Sequence, residues 1–338
     1  MSQKWTLRPG EGIASLSLKD IPDTELSAGQ ARVALKAFSL NARDLMVANG
    51  ISPVETATEL VPLSDAAGVV EEVASDVTDV SVGDRVVVTF NPRHQSGAFE
   101  SYMGAFAHGE VAQGVLARHK VFEARALVRL PDNVSFEQAA TLPCAAVTAW
   151  NALFEAGHLK PGQTVFATGT GSVSLIALLL AKVAGARVGI SSSDPAKLEH
   201  AEALGADFGV NYLERPNWDA AVREATEEHG AEVVVETAGP PSIATAVRAA
   251  AQNGTVAQIG LKGMEGPAVS MLDLVMSGVR VVPIMVGSRT LLERVVAAVS
   301  RNAVKIPVHQ RFDFGESPAA FSALQSGDAF GKVTITID

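Results

Sequence analysis

From Gln163 onward the chain alternates between two kinds of segment. "QTVFATG", "ARVGISS", "FGVNY", "EVVVETAG" and "GTVAQIG" read as short strands rich in Val and Ile. Helical stretches follow the first four, at 172–184, 195–204, 219–228 and 242–251, and "RVVPIMVG" reads as one more strand. Strands this apolar are buried on both faces, and helices between them are crossovers, so the pattern specifies a doubly wound parallel sheet. No other feature limits the possible folds as tightly. The stretch ahead of residue 120 differs. "ARVALKAFSL", "AAGVVEEVA" and "DRVVVTF" are extended segments separated by Gly, Pro and Asp turns. The span from Asn91 to Gly114 has weak periodicity and reads as an irregular surface excursion. Ser135-x-x-Gln138 is a capping-box candidate for a helix. After residue 287 the pattern is mixed: a helix through "LLERVVAAV", a strand near "VHQRFDF", a helix "PAAFSAL" and a last strand "KVTITID".

The totals exclude several classes. With 338 residues there is room for two domains, each with its own core. The net charge is −10 and no Lys/Arg run occurs, so neither nucleic acid nor an anionic membrane is an expected partner. The single cysteine, Cys144, rules out an intrachain disulfide and any multi-cysteine zinc site. The N-terminus has no apolar signal-type region, and the longest apolar run, Leu175 to Ala181, is far short of the ~20 residues that span a bilayer. A soluble cytoplasmic protein is expected.

Between the first strand and helix of the alternating region lies Gly169-Thr170-Gly171-Ser172-Val173-Ser174. Gly169 allows a tight turn, and Gly171 lets the backbone approach a pyrophosphate. The helix beginning at Ser172 offers free N–H groups to that phosphate. Serine replaces the third glycine of the usual dinucleotide fingerprint, and it is small enough to keep the helix close to the strand. The alternative is a plain strand–helix turn. The second strand ends in Ser191, Ser192 and Ser193, with no Asp or Glu to hold the ribose of NAD and repel the extra phosphate of NADP. Lys197, one turn into the next helix, and Tyr212, closing the third strand, complete a candidate phosphate cradle. The expected cofactor is NADP(H). Alternatively Lys197 is a solvated helix lysine and Tyr212 a cap on the sheet.

Together, "SLNARDLMVANG", "VPLSDAAGVV", "VSVGDRVV", "AATLPCAAVTAWNAL", "GTGSVSLIAL", "SSSDPAKLEHAEALGAD", "VETAG", "IGL", "VGSR" and the terminal "GKV" resemble the medium-chain dehydrogenase/reductase family. The match is closest to its zinc-independent branch of quinone oxidoreductases and alcohol dehydrogenase-like proteins. The resemblance covers the whole chain. It implies a GroES-like β-barrel catalytic domain from 1–145 and 287–338, a Rossmann domain from 146–286, and an active site in the cleft between them. It implies homodimers joined through the last Rossmann strands. It also implies that Thr148 packs on the nicotinamide, that the backbones of Ile259, Leu261 and Val286 bind its carboxamide, and that Thr237 and Ala238 line the cofactor groove. Ordinary strand-end packing is the competing account of each.

The zinc-dependent branch would hold its catalytic metal with a Cys, a His and a second Cys. The corresponding places here are Asn41, Ser64 and Cys144, and one thiol does not hold zinc. No metal is expected. Without a Lewis acid, an enone, enal or quinone is the easier hydride acceptor, because hydrogen bonds suffice for its developing oxyanion. Asn41 is the candidate donor. Arg43 is either an added charge or a structural partner of Asp65. Asp44 braces the loop rather than transferring a proton. A tyrosine acid found in some relatives corresponds to Ser52, which leaves water, a loop residue or Tyr102 as proton source. Phe99, Met103 and Phe106 either shape an apolar pocket or tuck the loop down. The reading is an NADPH-dependent reductase of activated carbonyl compounds. Its rivals are an alcohol/aldehyde dehydrogenase without metal and a cofactor-binding protein with little turnover.

Overall fold

The computed structural model describes every residue except 1, 23, 52–56, 101, 102, 104, 105, 262, 264 and 338. Ser52 and Tyr102, weighed above as sites of a proton donor, lie outside the described residues. The chain divides into two compact units, Met1–Val147 with Gly287–Asp338, and Thr148–Val286.

The first unit opens with β1 (Ser2–Thr6), β2 (Ser17–Ile21), β3 (Gln30–Ser39), α1 (Ala42–Ala48), β4 (Asp65–Val73), β5 (Arg85–Val88), β6 (His119–Glu123), β7 (Leu127–Arg129) and α2 (Phe136–Ala140). In β3 burial alternates along the strand, with Ala31, Val33 and Leu35 turned into the core. That is the period-2 pattern of "ARVALKAFS" made physical. The Ser135 hydroxyl accepts from Gln138 N at 3.2 Å and caps α2. The Gln138 side chain does not reach back as a capping box requires. It bonds both the N–H and the carbonyl of Ile306 instead, at 2.8 and 3.0 Å.

The second unit carries α3 (Val147–Trp150, at its boundary), β8 (Thr164–Ala167), α4 (Ser172–Val183), β9 (Arg187–Ser192), α5 (Pro195–Ala203) and β10 (Phe208–Asn211). It continues with α6 (Trp218–Ala225), β11 (Ala231–Glu236), α7 (Ile243–Ala249), β12 (Ala250–Gln258), α8 (Met271–Ser277) and β13 (Arg280–Pro283). Its six strands lie in the order β10-β9-β8-β11-β12-β13, all parallel. The chain winds outward from β8 through β9 to β10, then returns and winds the other way from β11. The order therefore reverses between β8 and β11, where open α/β sheets form their ligand crevice. Val165, Val188, Ile190, Val233, Val234 and Val235 are fully buried, and each such side chain contributes about 1.5–3 kcal/mol relative to exposure. Phe166 stacks between Phe208 and Trp218, with ring centroids at 6.1 and 5.2 Å. The sequence did not announce α8, which buries none of its residues.

The chain then rejoins the first unit through α9 (Arg289–Arg301), β14 (Val308–Asp313), α10 (Ser317–Gln325) and β15 (Lys332–Thr336). The sheet of that unit runs β14-β15-β3-β4-β5-β7, with β6 also on β3. Both chain ends share one core, in which Phe314, Phe321, Val333 and Ile335 pack with Val33, Phe38 and Leu116. The register at the end of β3 matters for function. Ser39 lies opposite Thr334 on one side and opposite Asp65 on the other. Continuing the antiparallel register by two residues brings Lys332 to Asn41.

Candidate active site

In the first unit the β3–α1 junction gathers a buried polar cluster. Asn41 starts α1, and its N–H donates to Asp44 Oδ2 at 2.7 Å. Asp44 is fully buried, and burial raises its carboxyl to about 7 against the pull of Arg43 and of the Asn41 N–H. It braces the helix start, and its proton affinity is far from that of an ordinary carboxylate. Asp65 is also fully buried. It accepts from the Ser64 hydroxyl at 2.6 Å and from Cys144 N at 3.2 Å. Burial raises both the Asp65 carboxyl and the Cys144 thiol.

The cation of this cluster is Lys332, only 1 % exposed. Its ammonium donates to Leu40 O and to Asn41 Oδ1, each at 2.7 Å. Burial lowers its proton affinity, and the carboxylates of Asp65 and Asp44 oppose that. The terminal "GKV" was read from sequence as a landmark without a role. Asn41 Nδ2 is buried, and although it helps hold down the Asp65 carboxyl it completes no hydrogen bond of normal geometry. Leaving such a donor unsatisfied costs about 1–3 kcal/mol.

Arg43 is not paired with Asp65. It donates to His108 O at 2.8 Å and to Glu110 Oε2 at 2.7 Å, with Asp44 Oδ1 at 4.0 Å and the Phe90 ring beneath it. The 108–114 loop returns to this helix and supplies the nearer partners. Within the irregular span Met103 is buried, Phe99 meets His94 edge-on, and Arg93 lies over Phe106. These side chains tuck the loop down.

In the second unit the glycine turn at 169–171 sits at the switch point. Gly169 has φ +74, and a Cβ there would meet only Thr237 Oγ1 at 3.8 Å. A Cβ on Gly171 would meet nothing of the protein within 4 Å. Open space therefore lies over the turn at Gly171. No side chain caps α4, so the N–H groups of its first turn, at Ser172 and Val173, face that space with the positive end of the helix. Thr170 is buried beside them. Ser174 does more than stay small. Its hydroxyl donates to Thr168 O at 2.7 Å and meets Thr237 Oγ1 at 3.1 Å, tying the helix start to two strand ends.

Glu236, at the end of β11, organises the neighbouring turn. Its Oε1 accepts from Ala238 N at 2.6 Å, Gly239 N at 2.9 Å and Thr168 Oγ1 at 3.3 Å. Thr237 N donates to Thr168 Oγ1 at 2.8 Å, and the Thr237 hydroxyl to Thr168 O at 2.5 Å. The backbone carbonyl of Glu236 takes the Ile259 N–H at 2.8 Å. Thr237, Ala238 and Ile259 thus belong to one network, although nothing in the sequence singled out Glu236. Leu261 is exposed, and Thr148 is buried in α3. Val286 holds a left-handed backbone, φ 45, and its carbonyl accepts from Asn151 Nδ2 at 2.8 Å. That conformation is costly for a β-branched residue.

At the end of β9 the serines divide their tasks. The Ser191 hydroxyl turns inward and accepts from Gly169 N at 3.0 Å. Ser192 Oγ accepts from Asp194 N at 3.2 Å, Ser193 is exposed, and the Ser192 carbonyl accepts from Tyr212 N at 3.2 Å. Tyr212 is therefore beside Ser192, with Lys197 half-buried in the first turn of α5. A carboxylate does follow closely, on Asp194. Its Oδ1 accepts from Ala196 N at 2.9 Å and serves as the N-cap of α5.

Residues 27–132 match a family model described as alcohol dehydrogenase GroES-like domain, and residues 172–301 one described as zinc-binding dehydrogenase. A zinc-type alcohol dehydrogenase-like protein of Schizosaccharomyces pombe is 35 % identical over 320 residues, 93 % of this chain and 92 % of the relative. This chain is a medium-chain dehydrogenase/reductase. A solved structure from Sinorhizobium meliloti, assigned as an alcohol dehydrogenase, is 37 % identical and superposes with a TM-score of 0.91 over 99 % of both chains. Another, of an NAD-dependent alcohol dehydrogenase, is 29 % identical with a TM-score of 0.90 over 99 % of this chain and 100 % of its own. The medium-chain dehydrogenase/reductase assignment brings the GroES-like and Rossmann-like domains and an oxidoreductase function with it. Among the described residues no helix is long and apolar enough to cross a membrane.

Proposed function

We propose that this enzyme is an NADPH-dependent, metal-free reductase of activated small carbonyl compounds, acting on the C=C bond of enones, enals or quinones. The observation that carries the reading is the end of β9. Ser192 and Ser193 stand where a ribose-binding acid would, and the Asp194 carboxylate is committed to capping α5. Hydroxyls and the Lys197 ammonium welcome a 2′-phosphate there. The Gly171 space, the uncapped α4 terminus and the Thr237–Gly239 turn suit a dinucleotide.

The zinc named in the family description does not fit this donor set. Asn41 Oδ1 is bonded to an ammonium, the Ser64 hydroxyl to Asp65, and burial keeps the Cys144 thiol protonated. Among the described residues no group of three or more His, Cys, Asp or Glu is placed to hold a metal ion. Zinc generally needs three protein ligands.

NADPH, when bound, would supply the hydride for reduction of the acceptor's C=C bond. The chain's own part is to hold the acceptor and stabilise the enolate oxygen. Asn41 is the candidate donor to that oxygen. Arg43, tied to Glu110 and the His108 carbonyl, adds positive field rather than a direct bond, and Asp44 holds α1. Thr148 and the backbones of Ile259, Leu261 and Val286 seat the nicotinamide. Water protonates the α-carbon.

Steady-state NADPH oxidation across cyclohex-2-enone, a quinone and simple aldehydes tests this. Turnover of the enone and quinone with little of the aldehydes is expected, and the reverse overturns it. That reverse is the second reading, alcohol–aldehyde interconversion, which the names of the relatives favour. Lys197→Ala should raise the NADPH Kd by about 10-fold or more, the loss of one charge-assisted bond of ~1.5–3 kcal/mol, with NADH little changed. Equal effects on both coenzymes would remove Lys197 from the phosphate site.

We infer also that the enzyme is a homodimer joined at β13. That strand is at the sheet edge, and on α8 beside it in sequence Met271, Leu272, Val275 and Met276 are 68–74 % exposed. An open edge next to apolar surface invites pairing. Light scattering should give twice the chain mass, and Val281→Pro, which removes an edge donor, should shift it to the monomer.

A further inference from the structure

Past the end of β13 the backbone is anchored at Ile284 and again at Val286. The Ile284 N–H donates to Gln258 O at 2.9 Å. The Val286 carbonyl accepts from Asn151 Nδ2 at 2.8 Å. Gly287 then passes so close to α3 that a Cβ on it would meet Val147 Cγ1 at 2.6 Å. Met285, between the anchors, is 60 % exposed, so this short arch lies at the surface. Val286 turns it with φ 45, which a β-branched residue adopts only where its surroundings impose it. Among the described residues nothing accepts the Val286 N–H. The arch follows the carboxyl end of β13, the end of the parallel sheet that also carries the glycine turn and the Thr237–Gly239 turn. Asn151 opens the π-helical continuation of α3, Asn151–Ala156. Such wider turns recur at functional sites.

We propose that Asn151 is a positioning residue for the coenzyme: its bond to the Val286 carbonyl holds the left-handed backbone that presents the Val286 N–H to the nicotinamide carboxamide oxygen. This rests on the reading that the Val286 backbone seats the nicotinamide. The bond offsets the cost of the left-handed form. Without it Val286 relaxes to a negative φ, the N–H turns, and the carboxamide loses a donor.

The test is calorimetric titration of the full chain with NADPH and with 2′-phospho-ADP-ribose, which lacks the nicotinamide. NADH and ADP-ribose form a second pair, which keeps the outcome independent of the 2′-phosphate. Asn151→Leu should raise the Kd of each coenzyme by about 10-fold and leave each fragment within about twofold. Glycine takes the left-handed form without steric cost. In a Val286→Gly background Asn151→Leu should therefore weaken the coenzymes by less than about threefold, because coupled sites are not additive. Equal weakening of coenzyme and fragment, or an undiminished loss in the Val286→Gly background, overturns the proposal. So does unchanged coenzyme binding in Asn151→Leu, and the seating reading then stands if Val286→Pro, which removes the N–H, weakens the coenzymes but not the fragments. Unchanged coenzyme binding in Val286→Pro, or no coenzyme binding by the unaltered chain, overturns that reading and the proposal with it. If Asn151→Leu does not fold, Asn151→Ala serves in its place, since it removes the same donor with less bulk.

Discussion

Replacing Ser192 by aspartate should raise the Kd for NADPH by about 100-fold, equivalent to ~2.7 kcal/mol, while NADH binding holds or improves. Ser192 closes β9 and is buried to 3 % exposure, so a side chain here cannot swing away into solvent. Its hydroxyl accepts from Asp194 N, and its carbonyl accepts from Tyr212 N. A carboxylate at this point would face the 2′-phosphate, and like charges in contact cost several kcal/mol. The same carboxylate would accept from the two ribose hydroxyls of NADH. The change leaves the glycine turn untouched, because Ser191 and not Ser192 holds Gly169. Fluorescence titration of the variant with each coenzyme measures the inversion. Parallel weakening of both would mean that the substitution damages the strand end instead.

Lys332→Met alone should destabilise the protein by about 3–5 kcal/mol, the usual cost of removing one partner from buried charges. Asp44 and Asp65 are both fully buried, and Lys332 lies among them. Methionine fills the volume but leaves an uncompensated carboxylate and an unbonded Leu40 carbonyl. For a unit of this size the loss amounts to roughly 10 °C in Tm. Lys332→Met/Asp65→Asn should recover most of it, since the charges are then removed together. Calorimetry of the three proteins decides the matter. An unchanged Tm in Lys332→Met would show that the ammonium carries none of the local stability.

The parallel sheet was legible because Val- and Ile-rich strands and crossover helices repeat with their own periods. The glycine turn and the serines of β9 were legible because their chemistry is local. What stayed hidden depends on which strands become neighbours. Glu236 looked like one residue of "VETAG" until β11 lay beside β8 and brought Thr168 to its carboxylate. Lys332 gained meaning only from the register of β15 against β3. For Arg43 the sequence offered Asp65 as one possible partner, but the 108–114 loop folds back and brings Glu110 to it. The helix α8 escaped notice because it has no buried face to impose a period on its residues. A crossover was nonetheless required there, since parallel strands cannot be joined by a tight turn.

Calorimetric titration of the unaltered enzyme with NADPH and with NADH tests the account most directly. NADPH should bind at least about 10-fold more tightly, a difference of ~1.4 kcal/mol or more. Equal affinities, or tighter binding of NADH, would contradict it.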